Sequence, residues 1–284
     1  YSFWNEKGER FWFKWHFKTN QGIKTLRAEE ATVADPHGAQ QDLVEAIDRG
    51  DFPSWTAKVQ IMTEQQARDA EVNPFDLTKV WPHDEFPLIE VGQLELNRNV
   101  DNYFAETEQA AFAPSNFVPG IGSSPDKMLQ GRLLAYQDAH RYRVGVNYNQ
   151  LPVNAAKCPV NHYQRDGAMA GLCPAGGHHH QTSGANFYPN DRDDGPAPDQ
   201  AVAEPPMPVE AGAWLDRFDT DEEDHYTQAG NLFRIMSDDQ KQQLANNIAG
   251  GLGQCDASVQ QRMLAQFEKA DADYAARVAA ALKA

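Results

Sequence analysis

One tyrosine of this 284-residue chain stands among arginines at helical spacing. In the stretch Ser124 to Gly145, SPDKMLQGRLLAYQDAHRYRVG, Arg132 precedes Tyr136 by one helical turn and Arg143 follows it by two. At 100° per residue the three fall within roughly 40° of one another. Met128, Leu129 and His140 flank the same face. A phenol between guanidinium groups sits in a field that favours the phenolate, a hard anionic oxygen suited to ferric iron. The same spacing also serves a core tyrosine whose arginines face solvent. Ser124 is placed to cap the helix, Pro125 to occupy its first position and Asp126 to meet the positive end of its dipole.

The elements that must hold this helix come from both sides of it in sequence. Tyr1 to Lys18 reads as a hairpin turning at Glu6 to Glu9, with Phe11, Phe13, Trp15 and Phe17 alternating with Trp12, Lys14, His16 and Lys18. Apolar residues on both faces predict burial on both sides, or one core face and one ligand face. Asp35-Pro36 opens a helix carrying Leu43, Val44 and Ile47 and stopping at Gly50. Ser54 to Met62 predicts a strand with Trp55, Ala57, Val59 and Ile61 on one face, and Leu88 to Leu96 a strand pair interrupted at Gly92. From Leu96 to Phe187 the strand pattern gives way to loops around two helices, Asp101 to Ala111 and the tyrosine helix. Asn190 to Glu210 is acidic and Pro-rich and predicts an extended linker. Helical periods follow: Glu222 to Arg234, a helix opening on the capping box Ser237-Asp238-Asp239-Gln240 and ending near Gly250-Gly251, then Ser258 to Ala270 and Asp271 to Ala281. Val259, Met263 and Phe267, then Tyr274, Val278 and Leu282, have core spacing. The class is α+β, with an antiparallel sheet of about four strands.

Composition narrows the partners. A net charge of −16 argues against nucleic acid, whose phosphates need a basic surface. No apolar run is long enough to span a membrane. Three cysteines (Cys158, Cys173, Cys255) without CxxC spacing fit a reducing compartment such as cytoplasm, with periplasm as the alternative. His178 to His180, between glycines and Thr-Ser-Gly, fit a solvated loop better than a metal site.

The string Arg132-Leu-Leu-Ala-Tyr136-Gln-Asp138-Ala-His140-Arg141-Tyr-Arg143 resembles the proximal haem-ligand motif of the monofunctional haem catalases. NPFDLTKVWPH (Asn73 to His83), LNRNVDNYFAETEQAAFAPSN (Leu96 to Asn116), SPDKMLQGR (Ser124 to Arg132) and NHYQRDGAM (Asn161 to Met169) follow in family order. The resemblance implies the second half of an eight-stranded antiparallel barrel over residues 1–98. A wrapping region would follow over 99–210, with the haem-ligand helix at 125–143 and the Pro-rich linker, and then a helical domain over 211–284. The first half of the barrel would lie before Tyr1, so the expectation is a fragment, or a chain that stays associated with that portion.

The implied activity is disproportionation of hydrogen peroxide to water and oxygen on a ferric haem. Tyr136 would bind the iron, as tyrosine does in catalase. Arg132 would hold the phenolate, and Asp126 would join that arginine through a histidine preceding Tyr1. Arg143 would pair with a haem propionate, and Met128 and His140 would line the haem rim. The family's distal histidine and asparagine would also precede Tyr1. His16, His37, His83 and His162 do not occupy those positions, so the chain alone is expected to be inactive. Some family members bind NADPH. Lys18, Trp81, His83 and Gln228 match contact positions, whereas Leu232 stands where an aromatic residue is usual. The resemblance also implies a homotetramer. Within the same fold the alternative is a haem hydroperoxide lyase or peroxidase-like relative. Outside enzymology it is a non-catalytic haem-binding or scaffolding fragment.

Overall fold

Alternating aromatic residues and a glycine turn fold the first residues into a hairpin. Strand β1 (Ser2–Trp4) pairs antiparallel with β2 (Arg10–Thr19). At the turn Gly8 takes φ +75°, and the Asn5 side chain accepts the amides of Lys7 and Glu9. β3 (Ser54–Thr63) pairs antiparallel with β2, and β4 (Ile89–Glu95) pairs antiparallel with β3. A two-residue β5 (Ile121–Gly122) joins β1, giving the order β4-β3-β2-β1-β5. These facts belong to a computed structural model that describes residues 1–155, 189, 203–207 and 223–283. Cys158, Cys173, Asn161 to Met169, His178 to His180 and most of the Pro-rich linker lie outside the described residues.

The expected strand pair at Leu88 to Leu96 is one strand. Its register shifts opposite Ala57 and Lys58, which pair with Gly92 and Glu90, so Val91 is the extra residue of a bulge. One inserted residue breaks the alternation and mimics an interruption, and a glycine beside it marks the site.

The chain forms two compact units, Tyr1–Gln21 with Leu43–Ala213 and Gly22–Asp42 with Trp214–Ala284. In the first, the pairing sorts the sheet into two faces. Trp12 and Met62, directly opposed, form a buried core with Trp81, against which Phe75, Phe86 and Met207 pack. On the other face Phe3 stacks on Phe13 with ring centroids 3.6 Å apart, and Trp15 and Phe17 continue the row half exposed. Two polar side chains are buried with the core. Gln60 donates to the carbonyls of Trp81 (3.0 Å) and Phe86 (2.6 Å). Arg10 pairs with Glu64 (3.8 Å) and Glu204 (3.4 Å) and donates to the carbonyls of Pro205 and Pro206. That arginine fixes residues 203–207 against the hairpin.

Short helices connect these strands. α1 (Ala28–Val33) has no counterpart in the sequence reading; α2 (Gly38–Arg49) ends at Gly50 with φ +81°. α3 (Glu64–Asp69) is capped by Thr63. The helix expected over Asp101 to Ala111 is only a π-helical turn, Phe104–Glu108. The Asn102 side chain accepts the Ala105 amide, and the Glu106 carboxylate accepts the amides of Asn102 and Asp101. Such local bonds compete with a regular helix. The same two amides, Asn102 first, hold the Glu106 carboxyl below the usual carboxylate range.

After α4, described below, the second unit, which also holds α1, continues among the described residues with α5 (Thr227–Ile235), α6 (Asp238–Leu252), α7 (Ala257–Ala270) and α8 (Ala272–Ala281). α5 starts later than the expected Glu222, because the Asp224 carboxylate accepts the Tyr226 and Thr227 amides ahead of it. Ser237 and Gln240 form the expected capping box. Asp271 caps α8 and pairs with Arg234 at 2.9 Å. Tyr274 stacks between Phe233 and Phe267, beside the fully buried Val278.

Candidate functional site

The tyrosine helix is α4 (Lys127–Arg143), and its cap is Asp126 rather than Ser124. One carboxylate oxygen accepts the amides of Met128 (2.8 Å) and Leu129 (3.1 Å). The charge also suits the helix dipole, which explains why aspartate takes the position over serine and why Pro125 falls outside the helix. Ser124 is buried, and its carbonyl accepts from the Gln130 side chain.

Tyr136 lies midway along α4 and is 38 % exposed. The Arg132 guanidinium sits over its ring, 5.1 Å from the centroid, and the His140 ring meets it edge-on at 6.3 Å. Among the described residues no hydrogen bond reaches the Tyr136 hydroxyl. Met128 is exposed.

His140 and Arg143 do more than flank the tyrosine. His140 is buried, and its Nε2 lies 2.7 Å from the Phe112 carbonyl, while Arg143 donates to its Nδ1 at 3.3 Å. A carbonyl only accepts and a guanidinium only donates, so the ring carries its proton on Nε2. Arg143 also donates to the carbonyls of Glu108 and Ala110, both at 2.5 Å. Gln137 donates to the Ser115 hydroxyl at 2.8 Å. On the far side of this segment Asn154 accepts the Ala111 amide (2.7 Å) and donates to the Gln109 and Tyr148 carbonyls (2.9 and 3.0 Å). Asn154, Gln137 and Phe112 were not found by sequence reasoning. Their partners are loop backbone groups, which leave no periodic signal.

Beside the helix start a cavity of about 400 Å³ is lined by Tyr1, Lys14, Trp81, Asp126, Met128 and Arg132, among others. Burial holds the Lys14 amine below the ordinary lysine range, with Asp126 and Asp76 opposing. Asp126 is thus the anion facing the desolvated Lys14 amine as well as the helix cap.

The residues matched to nucleotide contacts fall in different settings. Lys18 and His16 share a face of β2, and His83 meets His16 edge-on at 6.0 Å. Burial lowers the His16 imidazole, and Lys18, His83 and Lys14 push it the same way, whereas its bond to Gln60 opposes them. Trp81 is a core residue, its indole N–H donating to the Pro74 carbonyl and its ring lying under the Lys14 amine. Gln228 belongs to α5 in the second unit.

An antiparallel sheet, a helix presenting a half-exposed phenol beneath a guanidinium, and a separate helical unit define an α+β protein with a candidate ligand helix. The family model "Catalase" matches residues 1–194, and "Catalase-related immune-responsive" matches residues 219–282. The chain is 55 % identical over 286 residues to a catalase of an Onchocerca volvulus endobacterium and 54 % identical to catalase A of Pseudomonas putida, in each case over 99 % of this chain. Catalase A of Saccharomyces cerevisiae superposes with a TM-score of 0.82 at 36 % identity, covering 99 % of this chain and 58 % of that one. The chain belongs to the catalase family. It spans 58 % of the length of the two bacterial relatives. No helix among the described residues is long and apolar enough to cross a membrane.

Proposed function

We propose that this chain supplies the proximal wall of a haem site at which hydrogen peroxide is disproportionated to water and oxygen. The observation that carries the reading is Tyr136, half exposed on α4 with Arg132 stacked on its ring and its hydroxyl without a hydrogen-bond partner among the described residues. The residues fit a ferric haem. A phenolate is a hard oxygen donor, the Arg132 guanidinium lies beside that ring, and exposed apolar groups, Met128 and Phe112, suit a flat apolar macrocycle.

When bound, the haem would supply an iron centre that one peroxide oxidises and a second reduces. Tyr136 would ligate it, Arg132 would hold the ligand anionic, and Asp126 would join that arginine through a histidine. Arg143 has N–H groups beyond those given to the carbonyls and would pair one with a propionate. Met128 and His140 would border the ring. The acid–base pair of the opposite wall, a histidine and an asparagine, is assigned to the part of the relatives that this chain does not span. On this reading the chain alone does not turn over peroxide.

The finer partners follow the same reading. A homotetramer is expected from the family. The Lys14, His16, Lys18 and His83 group supports an anionic ligand such as the NADPH phosphate, with Trp81 acting through the core. A reducing, cytoplasmic setting accords with the exposed free thiol of Cys255.

The test compares oxygen release from hydrogen peroxide by the haem-loaded protein together with its barrel partner against turnover of a fatty-acid hydroperoxide. Rapid oxygen release supports the proposal. Preference for the lipid hydroperoxide replaces it with the lyase reading, and haem binding with neither activity replaces it with a scaffolding role.

A further inference from the structure

We infer that residues 108–115 form a strap that fixes the setting of α4, and that Asn154 and His140 are its positioning residues. The strap runs antiparallel to the helix. Its Glu108 and Ala110 carbonyls meet Arg143, its Phe112 carbonyl meets His140, and its Ser115 hydroxyl meets Gln137. From the other side Asn154 takes the Gln109 carbonyl and the Ala111 amide, so each of five consecutive residues has a backbone group held by a side chain. Asn154 uses its acceptor and two donors within 3.0 Å, the third reaching Tyr148, whose ring packs 5.6 Å from that of His140.

The consequence follows from what Tyr136 lacks. With no hydrogen bond to its hydroxyl among the described residues, its direction is set by the rotation of α4. Arg143 and His140 lie within roughly 40° of Tyr136 around the helix axis, so bonds at those residues resist the rotation that would swing the phenol away. This consequence rests on Tyr136 being the haem ligand; the strap itself does not.

The test uses the purified haem-loaded protein and the variants Asn154→Asp, His140→Leu and His140→Gln. Asn154→Asp keeps the acceptor and loses both donors; His140→Gln keeps an N–H donor toward Phe112. Hydrogen exchange is read at the Ala111 amide and, as a control, in α8, alongside the ferric visible spectrum and the rate of haem loss. Asn154→Asp and His140→Leu are expected to speed exchange at Ala111 roughly tenfold with α8 unchanged, to shift the spectrum and to hasten haem loss, and His140→Gln to restore much of both. Unchanged exchange at Ala111 overturns the strap. Faster exchange with an unaltered spectrum and haem loss overturns the positioning role while leaving Tyr136 as the ligand. A parent protein without a tyrosinate-type spectrum overturns the ligand reading instead, and exchange at Ala111 then still decides the strap.

Discussion

Replacing Gln60 with leucine removes the polar link between the sheet and the segment that covers it. Gln60 is buried on β3, and its amide nitrogen bonds the Trp81 carbonyl at 3.0 Å and the Phe86 carbonyl at 2.6 Å. Its oxygen meets His16 Nε2 at 2.9 Å, where the imidazole must donate because an amide oxygen only accepts. Leucine is close in volume, so packing changes little and the cost comes from two carbonyls left unpaired. At about 1–3 kcal/mol for each of the two buried unsatisfied carbonyls, less about 1 kcal/mol regained by added apolar burial, the expected loss is about 1–5 kcal/mol. Urea unfolding followed by tryptophan fluorescence reads it directly, since Trp12 and Trp81 share the core that these bonds close. Gln60→Glu gives a sharper contrast. It keeps an acceptor for His16 but sets a carboxylate against two carbonyls, so it should be the less stable variant at neutral pH and recover partly on acidification, when the protonated acid regains a donor. A loss below about 0.5 kcal/mol for Gln60→Leu, or parent-like stability of Gln60→Glu at neutral pH, would refute the argument.

Three further outcomes are expected. His16 has its imidazole lowered chiefly by burial, so the neutral form is favoured in the fold; its contribution is fully present above the ordinary value of 6.5 and is lost as pH falls through the lowered folded value. His16→Asn should therefore flatten the acid-side slope of stability against pH, and an unaltered slope counts against that assignment. Ser237→Ala removes one half of the α6 capping box and should cost about 1 kcal/mol in thermal unfolding of the helical unit, with Ser237→Asp near the parent; equal losses for both would exclude the cap as the cause. Arg10→Met leaves two carboxylates and two proline carbonyls facing an apolar tip, with an expected loss of about 3 kcal/mol and faster proteolysis near 203–207; unchanged cleavage there would show that Arg10 does not hold that segment.

Where the sequence was legible, a strong period carried it. Ten-residue β2 and β3 alternate except at Trp12 and Met62, and α6 announces itself by Ser237 and Gln240. The signal failed where a local bond outweighed a pattern. Asp126 displaced Ser124 as the cap of α4, Glu106 and Asn102 reduced an expected helix to a π-turn, and one bulged residue near Gly92 imitated a break between strands. β1, with three residues, was legible only through the hairpin turn that follows it, and β5, with two, is too short to show a period at all. Tyr136, Arg132 and Arg143 were recognisable because helical spacing places them on one face. The bonds from Arg143 to Glu108 and Ala110 join residues 35 and 33 positions apart through loop backbone, and no spacing rule encodes them. Gln60 was hidden for a related reason: a polar residue in an alternating strand suggests solvent, and only the overlying segment buries it.

The central claim is that Tyr136 is the iron ligand of a haem held against α4. Its most direct test is the ferric optical spectrum and haem content of Tyr136→Phe beside the parent protein. The account predicts a tyrosinate-type spectrum in the parent and its loss in the variant, together with weakened haem retention. A variant that keeps both the parent spectrum and its haem would contradict it.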